Sequence, residues 1–495
     1  MLPRDVGLRS VLFVVARINN LIKSPHSLPF YPKIMKNKGT IGLAVSMARY
    51  FGTDGIRGVA GQGVLTAGDA IRWGRALGLL LRERGLPPIV GIGQDTRPSG
   101  QGLSYALASG FLSEGIEVHW YDIIPSPGVS YLTKYYGHGM GVMVSASHNP
   151  YQDNGFKIFD HEGRKLSRQY HEMLESFFIG QSHSASSDVW GRFYMHVGAL
   201  QDYISFILST LSRLVNFTSW KVMVDDARGA AYVVVGTVLQ SLGIPWIPIH
   251  GHNAPDGKDI NDGCGALYPE KVRLRVEEES AMLGMALDGD GDRLMVVARN
   301  GKICDGDQVL ALLAQALGRA GSVVVGTEMS NNGLDDYCAS LGMTFKRAPR
   351  VGDEAIAEVI QETDAIIGGE PSGHIILPHI QPTGDGLVTF LQVMDALQKR
   401  GDIVPWPMFT PWNQVQATVP CAVDAKGLFG TQRVRDFLQE LEEDPIGRWV
   451  ARPSGTEPVI RLMVESEETS EGLQERMDDV VQKFQTFMQD DQRLF

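Results

Sequence analysis

The feature of the sequence that most constrains its fold is a repeated alternation of short apolar runs with polar, glycine-rich loops. The apolar runs lie at 88–94, 141–144, 221–224, 283–287, 323–325 and 365–367. Between the first two runs, Leu103, Leu107 and Phe111 recur at helical spacing. Short parallel strands joined by crossover helices produce this alternation. The sequence therefore predicts repeated α/β units, with loops at the carboxyl ends of the strands, where such sheets bind ligands.

A different pattern follows residues 405–411, a stretch with three prolines that we interpret as a linker. Apolar residues at 415–419 and 459–464 are typical of strands, and a polar helix is predicted from Thr469. The end of the chain is therefore predicted to be an α+β domain, distinct from the units before it.

Charge and cysteine content narrow the classes of function. A formal net charge of −12 gives no electrostatic support for a nucleic-acid partner. The four cysteines are far apart and form no C-x-x-C pair, which argues against a disulfide scaffold or a zinc site and favours a reducing cytosol. We therefore expect a cytoplasmic protein that binds neither membrane nor nucleic acid.

The first 46 residues differ from the rest because they carry seven basic residues against one acid. Their apolar run at 11–16 is too short to cross a bilayer. Two interpretations stay open, a targeting peptide and an upstream start that adds a disordered leader before folding begins near Met47. We favour the second.

The acidic loop that follows the run at 283–287 predicts a metal site. Asp288, Asp290 and Asp292 alternate with glycines, which let the backbone aim three carboxylates at one point. All-oxygen ligands favour Mg²⁺ or Ca²⁺. An EF-hand is excluded because Arg293 and Arg299 stand where that motif needs glycine and glutamate. The remaining alternative, a solvated acidic turn, fits less well because apolar residues flank the loop on both sides.

The loop after the run at 141–144 predicts a nucleophile or phosphoryl carrier. Ser145 and Ser147 stand near the imidazole of His148 and the ammonium of Lys157. The alternative is that the serines make side-chain turns and that the histidine is structural. The chemistry alone leaves open which serine would react.

Two further loops suit a phosphosugar. Residues 452–456 combine arginine with hydroxyl and backbone donors, as a phosphate cradle does. Residues 369–374 offer groups suited to sugar hydroxyls. Each loop, like Arg57 in the stretch 50–58, could also be an ordinary turn. Together, a hydroxyl carrier, a divalent cation, a cradle and a hydroxyl-binding loop predict phosphoryl transfer to and from a phosphosugar.

On the motifs at 50–58, 145–157, 288–293, 370–374 and 452–458, the chain resembles the α-D-phosphohexomutase superfamily. Within it, the sequence is most similar to bacterial enzymes that act on glucosamine phosphates. The resemblance implies three related α/β domains with mixed sheets and a last α+β domain similar to the TATA-box-binding protein. We place these domains at 47–205, 206–302, 303–408 and 409–495, after a leader of residues 1–46.

The resemblance also implies roles for single residues. The implied phosphoserine is Ser147, the implied Mg²⁺ ligands are Ser147, Asp288, Asp290 and Asp292, and the other implied catalytic residues are Arg57, His148 and Lys157. The implied substrate-binding residues are Arg293, Glu370, Ser372 and His374. The implied site for the distal phosphate is Arg452, Ser454, Gly455 and Thr456. A hexose bisphosphate activator and a hexosamine phosphate substrate are implied as well. The oligomeric state stays open, with a homodimer as one alternative.

Some positions depart from the family pattern. Pro371 stands where glutamine is frequent, 226–229 where Cys-Ala-Asn-Gly is usual, and Arg350 where lysine is frequent. Because Pro371 lies in the sugar-binding loop, it bears on which sugar is bound more than on the chemistry.

Three alternatives to a mutase for glucosamine phosphates stay open. They are a mutase for glucose or mannose phosphates, a Mg²⁺ phosphatase with an aspartyl nucleophile, and a sugar-phosphate-binding protein without activity.

Overall fold

The computed structural model describes residues 50–52, 55–180, 190–211, 216–400, 408–421, 425–445, 447–454 and 458–492. The predicted leader, Gly455 and Thr456 lie outside these residues. Three α/β units and one α+β unit follow one another along the chain, which confirms the predicted fold class.

The first unit is built on a mixed seven-stranded sheet. Its strands are β1 (Phe51–Gly52), β2 (Gly55–Val59), β3 (Ile89–Gln94), β4 (Glu117–Ile123), β5 (Met140–Val144), β6 (Asp153–Asp160) and β7 (Phe193–Met195). Its helices are α1 (Ala67–Glu83), α2 (Gly100–Ser113), α3 (Ser126–Tyr135) and α4 (His171–Ile179), and α5 (Ala199–Ser209) follows β7. The strand order is β1-β2-β6-β5-β3-β4-β7. Because β3 pairs in parallel with β4 and β5, the loops after β3 and β5 lie at the same edge of the sheet.

The second unit carries the acidic loop on a hairpin. Its strands are β8 (Val222–Asp225), β9 (Trp246–Pro248), β10 (Leu283–Leu287), β11 (Leu294–Ala298) and β12 (Ile303–Cys304), and its helices are α6 (Tyr232–Ser241) and α7 (Glu270–Glu278). β10 pairs in parallel with β8 and antiparallel with β11. The turn between β10 and β11 therefore lies beside the loop that follows β8.

The third unit repeats the pattern with a smaller sheet in the order β14-β13-β15-β16. Its strands are β13 (Val323–Gly326), β14 (Thr344–Arg347), β15 (Ile367–Gly369) and β16 (Ile375–Ile376). Its helices are α8 (Gly306–Leu317), α9 (Asn332–Ser340), α10 (Asp353–Thr363) and α11 (Gly386–Lys399). The loop between β15 and β16 holds the predicted sugar-binding residues.

The last unit is an antiparallel sheet with helices. Its strands are β17 (Asn413–Pro420), β18 (Arg448–Pro453) and β19 (Val459–Ser466), in the order β17-β19-β18. Its helices are α12 (Ala425–Phe429), α13 (Gln432–Glu442) and α14 (Ser470–Gln492). Leu473, Met477 and Phe484 of α14 are fully buried and form a separate core with the sheet.

One hydrophobic core joins the first three units. It includes Tyr203 of α5, Leu287 of β10 and Phe390 of α11, all buried. The ends of strands from different units are therefore held in fixed relation. The four cysteines are free thiols and all are buried. Within the described part of the chain, each helix is too short or too polar to span a bilayer.

Candidate active site

Ser147 lies at the point where β5 ends and the second unit begins to cover it. The residue is buried, and its φ of +55° is a left-handed conformation that a serine rarely adopts. Its Oγ donates a hydrogen bond to Asp288 Oδ2 at 2.6 Å, and His148 Nδ1 lies 3.3 Å from the same oxygen. The structure therefore brings the predicted carrier serine, the neighbouring histidine and the acidic loop together.

A buried guanidinium fixes the backbone around Ser147. Arg97 Nη2 donates to the carbonyls of Ser147, at 2.9 Å, and of Asn149, at 2.8 Å. Its Nη1 donates to the carbonyl of Asp153 at 3.0 Å, and its Nε donates to Asp95 Oδ2 at 2.9 Å. Because the Arg97 side chain has 0% exposure, these partners replace water completely. Arg97 thus sets the course of the loop that carries the candidate nucleophile.

Ser145 completes this arrangement as a structural residue. Its Oγ donates to Asp95 Oδ2 at 2.6 Å and accepts from the backbone N–H of Ser147 at 2.9 Å. From the second unit, Asn261 Nδ2 donates to the Ser147 carbonyl at 2.8 Å. The Ser145 hydroxyl is therefore engaged by Asp95 and by the backbone of Ser147, whereas the Ser147 hydroxyl faces Asp288. This geometry favours Ser147 as the reacting serine.

The three aspartates form one buried cluster. Their nearest carboxylate oxygens all lie within 4.8 Å of one another. Lys157 Nζ lies 2.5 Å from Asp290 Oδ2 and 2.6 Å from Asp292 Oδ2, and Ser126 Oγ also donates to Asp290. Among the described residues, Asp290 Oδ1 is buried without a hydrogen-bond partner. A group of oxygen ligands with such an orphaned atom suits a hard divalent cation.

Electrostatics separate the roles of the aspartates. Burial, followed by the charges of Asp292 and Asp290, raises the pKa of Asp288 to about 7. Burial alone would also raise the pKa of Asp292, but Lys157 and His374 outweigh it and hold that pKa well below its usual range. The cluster therefore keeps one firm negative charge and one carboxyl that titrates near neutrality, which a bound cation would ionise.

The predicted sugar-binding loop lies against the same cluster. Ser372 Oγ donates to Glu370 Oε1 at 2.6 Å, and Arg293 Nη2 lies 4.0 Å from that oxygen. His374 is buried, with Nδ1 3.7 Å from Asp292 Oδ1 and Nε2 3.3 Å from Asp353 Oδ2. Burial lowers the pKa of His374, but the two carboxylates raise it more. The third unit thus contributes a buried histidine, with a raised pKa, to the aspartate cluster.

The candidate phosphate cradle lies at the joint between the third and last units. Arg452 lies near the end of β18 and Ser454 directly follows that strand. Burial lowers the pKa of Arg452 against the opposing charge of Glu328. Arg448, on the same strand, donates to the Glu328 carbonyl at 2.7 Å and to buried Glu465 at 2.6 Å. These bonds attach the cradle strand to the loop after β13.

Arg57 lies on β2, opposite Gly155 of β6 in the antiparallel pair. Lys157 is two residues further along β6, so the two basic side chains are on neighbouring strands.

Sequence reasoning missed Arg97, Asp95 and Asn261, whose bonds hold Ser147. The available signal was the alternation of acid and arginine in residues 95–97, directly after a buried strand, where we predicted only a loop.

Comparison with known proteins agrees with this arrangement. Models of the phosphoglucomutase/phosphomannomutase family match residues 48–183 as alpha/beta/alpha domain I, 201–301 as domain II, 305–405 as domain III and 419–483 as the C-terminal domain. A phosphoglucosamine mutase of Thermus thermophilus is 40% identical over 429 residues, which cover 86% of this chain and 95% of that relative. The phosphoglucosamine mutase of Ralstonia pickettii is 39% identical over 432 residues, or 85% and 96% of the two chains.

Solved structures show the same fold at lower identity. A phosphoglucomutase/phosphomannomutase family protein from Burkholderia thailandensis superposes with a TM-score of 0.73 at 24% identity, covering 88% of this chain and 96% of that one. Aspergillus fumigatus N-acetylphosphoglucosamine mutase, solved with GlcNAc-6P and magnesium, gives a TM-score of 0.57 at 18% identity, covering 90% and 96%.

Proposed function

The chain belongs to the phosphoglucomutase/phosphomannomutase family, and from that membership we propose that it converts glucosamine 6-phosphate reversibly to glucosamine 1-phosphate. The observation that carries the proposal is the 2.6 Å hydrogen bond from Ser147 Oγ to Asp288 inside the buried aspartate cluster. It joins a carrier hydroxyl to a cation-binding group, as phosphoryl transfer requires. The relatives at 39–40% identity, named phosphoglucosamine mutases, support the choice of sugar.

We assign the metal site to the three aspartates and Ser147. A bound Mg²⁺ would neutralise charge on the transferring phosphoryl group. Lys157 adds a second positive charge beside Asp290 and Asp292. Together, Mg²⁺ and the Lys157 ammonium would offset the negative charge of a phosphoserine at residue 147, so the aspartates would not repel it.

The reaction we propose exchanges two phosphate esters. The bond from phosphorus to Ser147 Oγ breaks as a bond forms to the free hydroxyl of the hexosamine monophosphate, and the hydroxyl proton passes to a base. We assign that base to His148, whose Nδ1 lies 3.3 Å from Ser147 Oγ. The bisphosphate then turns over, returns its other phosphoryl group to Ser147 and takes a proton back. A hexose bisphosphate is accordingly the activator that first phosphorylates the serine.

The remaining site residues are assigned by position. Arg293, Glu370, Ser372 and His374 would contact the sugar, Arg57 would support the transferring phosphate, and Arg452, Ser454, Gly455 and Thr456 would bind the distal phosphate. The distal site has to accept a phosphate on either end of the sugar, because the intermediate presents each end in turn. We propose domain limits at 47–205, 206–302, 303–408 and 409–495, and a cytoplasmic location. We also propose a homodimer, which sedimentation of the full chain would test.

A substrate panel tests the sugar. With catalytic hexose bisphosphate and Mg²⁺, we expect the highest kcat/KM for glucosamine phosphate and lower values for glucose and mannose phosphates. Pro371 lies between Glu370 and Ser372, where the family pattern differs, so a preference for glucose or mannose would identify the alternative mutase on this scaffold. Such a result would contradict the assigned sugar and leave the chemistry intact.

Intact-mass spectrometry tests the carrier. After incubation with bisphosphate, the wild-type chain is expected to gain one phosphoryl group, Ser147→Ala none, and the matched control Ser145→Ala one. A Mg²⁺ phosphatase with an aspartyl nucleophile would not form the phosphoserine. Phosphorylation that persists in Ser147→Ala would refute the assignment.

A further inference from the structure

A second cluster of metal-ligating side chains lies in the second unit, outside the aspartate triplet. Asp225 ends β8, His250 follows β9, and Cys264 stands in the loop before α7. One carboxylate oxygen, one imidazole nitrogen and the thiol sulfur all lie within 4.8 Å of one another. Asp225 and Cys264 are buried, and the His250 side chain is 22% exposed, which leaves a route from solvent.

The distance between the imidazole and the carboxylate matches two ligands of a tetrahedral ion. His250 Nε2 lies 3.3 Å from Asp225 Oδ1. Two ligands that are each about 2.05 Å from a tetrahedral zinc ion lie about 3.3 Å apart. Among the described residues, His250 Nε2 is a buried atom without a hydrogen-bond partner. An imidazole nitrogen without a hydrogen-bond partner, at this distance from a carboxylate oxygen, is placed to bind zinc together with that oxygen.

The carboxylate is held in place for such a role. Asp225 Oδ1 accepts from the backbone N–H of Ala227 at 2.9 Å, and Oδ2 accepts from that of Gly265 at 2.8 Å. Bonds of this kind orient a ligand and leave further lone pairs free. The bond from Gly265, the neighbour of Cys264, also keeps the thiol close to the carboxylate.

Around Cys264, acidic side chains outnumber basic ones, with Asp225, Asp226 and Asp262 against Lys271. Asp226, next in the chain, adds a second carboxyl that interacts electrostatically with both His250 and Cys264. The thiolate, not the thiol, binds a metal, so zinc uptake would release the Cys264 proton.

We propose that Asp225, His250 and Cys264 bind a zinc ion, with water as the fourth ligand. A mixed set of sulfur, nitrogen and oxygen ligands selects zinc over magnesium, which takes oxygen ligands only. The absence of C-x-x-C pairs in the sequence excludes only sites built on such pairs. Here the fold assembles the ligands from the end of β8 and from two separate loops.

The site is connected to the candidate active site through one short segment. Asn261, three residues before Cys264, donates from Nδ2 to the carbonyls of Ser147, at 2.8 Å, and Asn149, at 3.0 Å. Its backbone N–H donates to the Ala227 carbonyl at 3.0 Å. Zinc at Cys264 would tie this segment to β8 and thereby steady the bond from Asn261 to the serine loop.

Cobalt substitution tests the proposal without relying on activity. Co²⁺ is titrated into the full chain in saturating Mg²⁺, which occupies the aspartate cluster. We expect one equivalent per chain to give the visible bands of tetrahedral cobalt and a thiolate-to-cobalt charge-transfer band in the near ultraviolet. Zn²⁺ should abolish both. Asp288→Asn should keep both, which separates this site from the candidate magnesium site.

Matched variants identify the ligands. Cys264→Ser should lose the charge-transfer band, whereas Cys338→Ser, at another buried thiol, should retain it. His250→Ala changes a partly exposed ring and should weaken Co²⁺ binding at least tenfold while circular dichroism stays unchanged. The proposal is overturned if the wild type shows no thiolate band, or if the band persists in Cys264→Ser.

Discussion

Replacing Arg97 by methionine should damage both the stability and the chemistry of the enzyme. The methionine keeps an unbranched apolar stem but removes the guanidinium, its charge and all its bonds to the serine loop. Breaking a buried ion pair by removing one partner costs about 3–5 kcal/mol. Because whole domains are stable by only about 5–15 kcal/mol, urea unfolding should show the loss clearly.

Most of that cost arises from Asp95, which stays buried after the change but loses its ion-pair partner. Burial raises the pKa of Asp95, and Arg97 is the largest effect that opposes the rise. Without Arg97 the pKa should increase further. A carboxyl with a raised folded pKa stabilises the protein below its unfolded pKa and loses that contribution as pH rises through the folded value. The defect of Arg97→Met should therefore be smaller at acid pH than at neutral pH.

Two companion variants separate charge from positioning. Adding Asp95→Asn to Arg97→Met removes the unpaired charge and should recover about 1–3 kcal/mol of the lost stability. Arg97→Lys keeps a charge beside Asp95 but cannot reach the carbonyls of Ser147 and Asn149 together. It should recover much of the stability yet leave kcat low by about 100-fold, the typical effect of a 1 Å misplacement.

Three results would contradict these expectations. If Arg97→Met unfolds at the same urea concentration as the wild type, the buried pair contributes nothing. If the double variant is no more stable than Arg97→Met, the cost does not come from Asp95. If Arg97→Lys keeps full kcat, the bonds to the serine loop do not position the nucleophile.

Three further changes probe other parts of the site. In Gly289→Ala, the added Cβ would lie 2.5 Å from the Ser147 carbonyl oxygen, so we expect kcat to fall at least tenfold with the fold retained; unchanged kcat would contradict the close approach. Burial, the largest cause, raises the pKa of Asp307 to about 8, so this carboxyl alone should lower stability by roughly 3 kcal/mol as pH rises from 6 to 9; urea unfolding at the two pH values should show a fall in stability that is smaller by that amount in Asp307→Asn than in the wild type. Arg448→Met should raise KM about tenfold and change kcat less, because Arg448 attaches the cradle strand to the third unit; the exposed control Arg435→Met should leave both constants unchanged.

The buried strands were predictable from the sequence alone. The run at 283–287 coincides with β10, and the run at 88–94 differs from β3 by one residue. These strands are covered on both faces, so their residues read as continuous apolar runs. The exposed edge strand β7 was not predicted, because all three of its residues face solvent and carry no such pattern.

The predictable part of the site was the set of residues whose chemistry is unusual in a loop. Three alternating carboxylates and a serine beside a histidine are visible as local patterns. The supports of Ser147 were visible only in part. Ser145 was a candidate from the sequence, whereas Arg97 and Asn261 have ordinary structural roles when read locally. Asn261 lies 114 residues from the serine it contacts, and no periodicity encodes a contact of that range.

The backbone of Ser147 shows why the separate units must act together. A left-handed serine costs of the order of 1–3 kcal/mol and persists only where the surroundings impose it. Arg97 and Ser145 supply that restraint from within the first unit, and Asn261 adds a bond from the second. The same second unit carries Asp288, which accepts from the serine hydroxyl. The conformation of the candidate nucleophile and its contact with Asp288 therefore depend on one interface, and a change that opens that interface removes both at once.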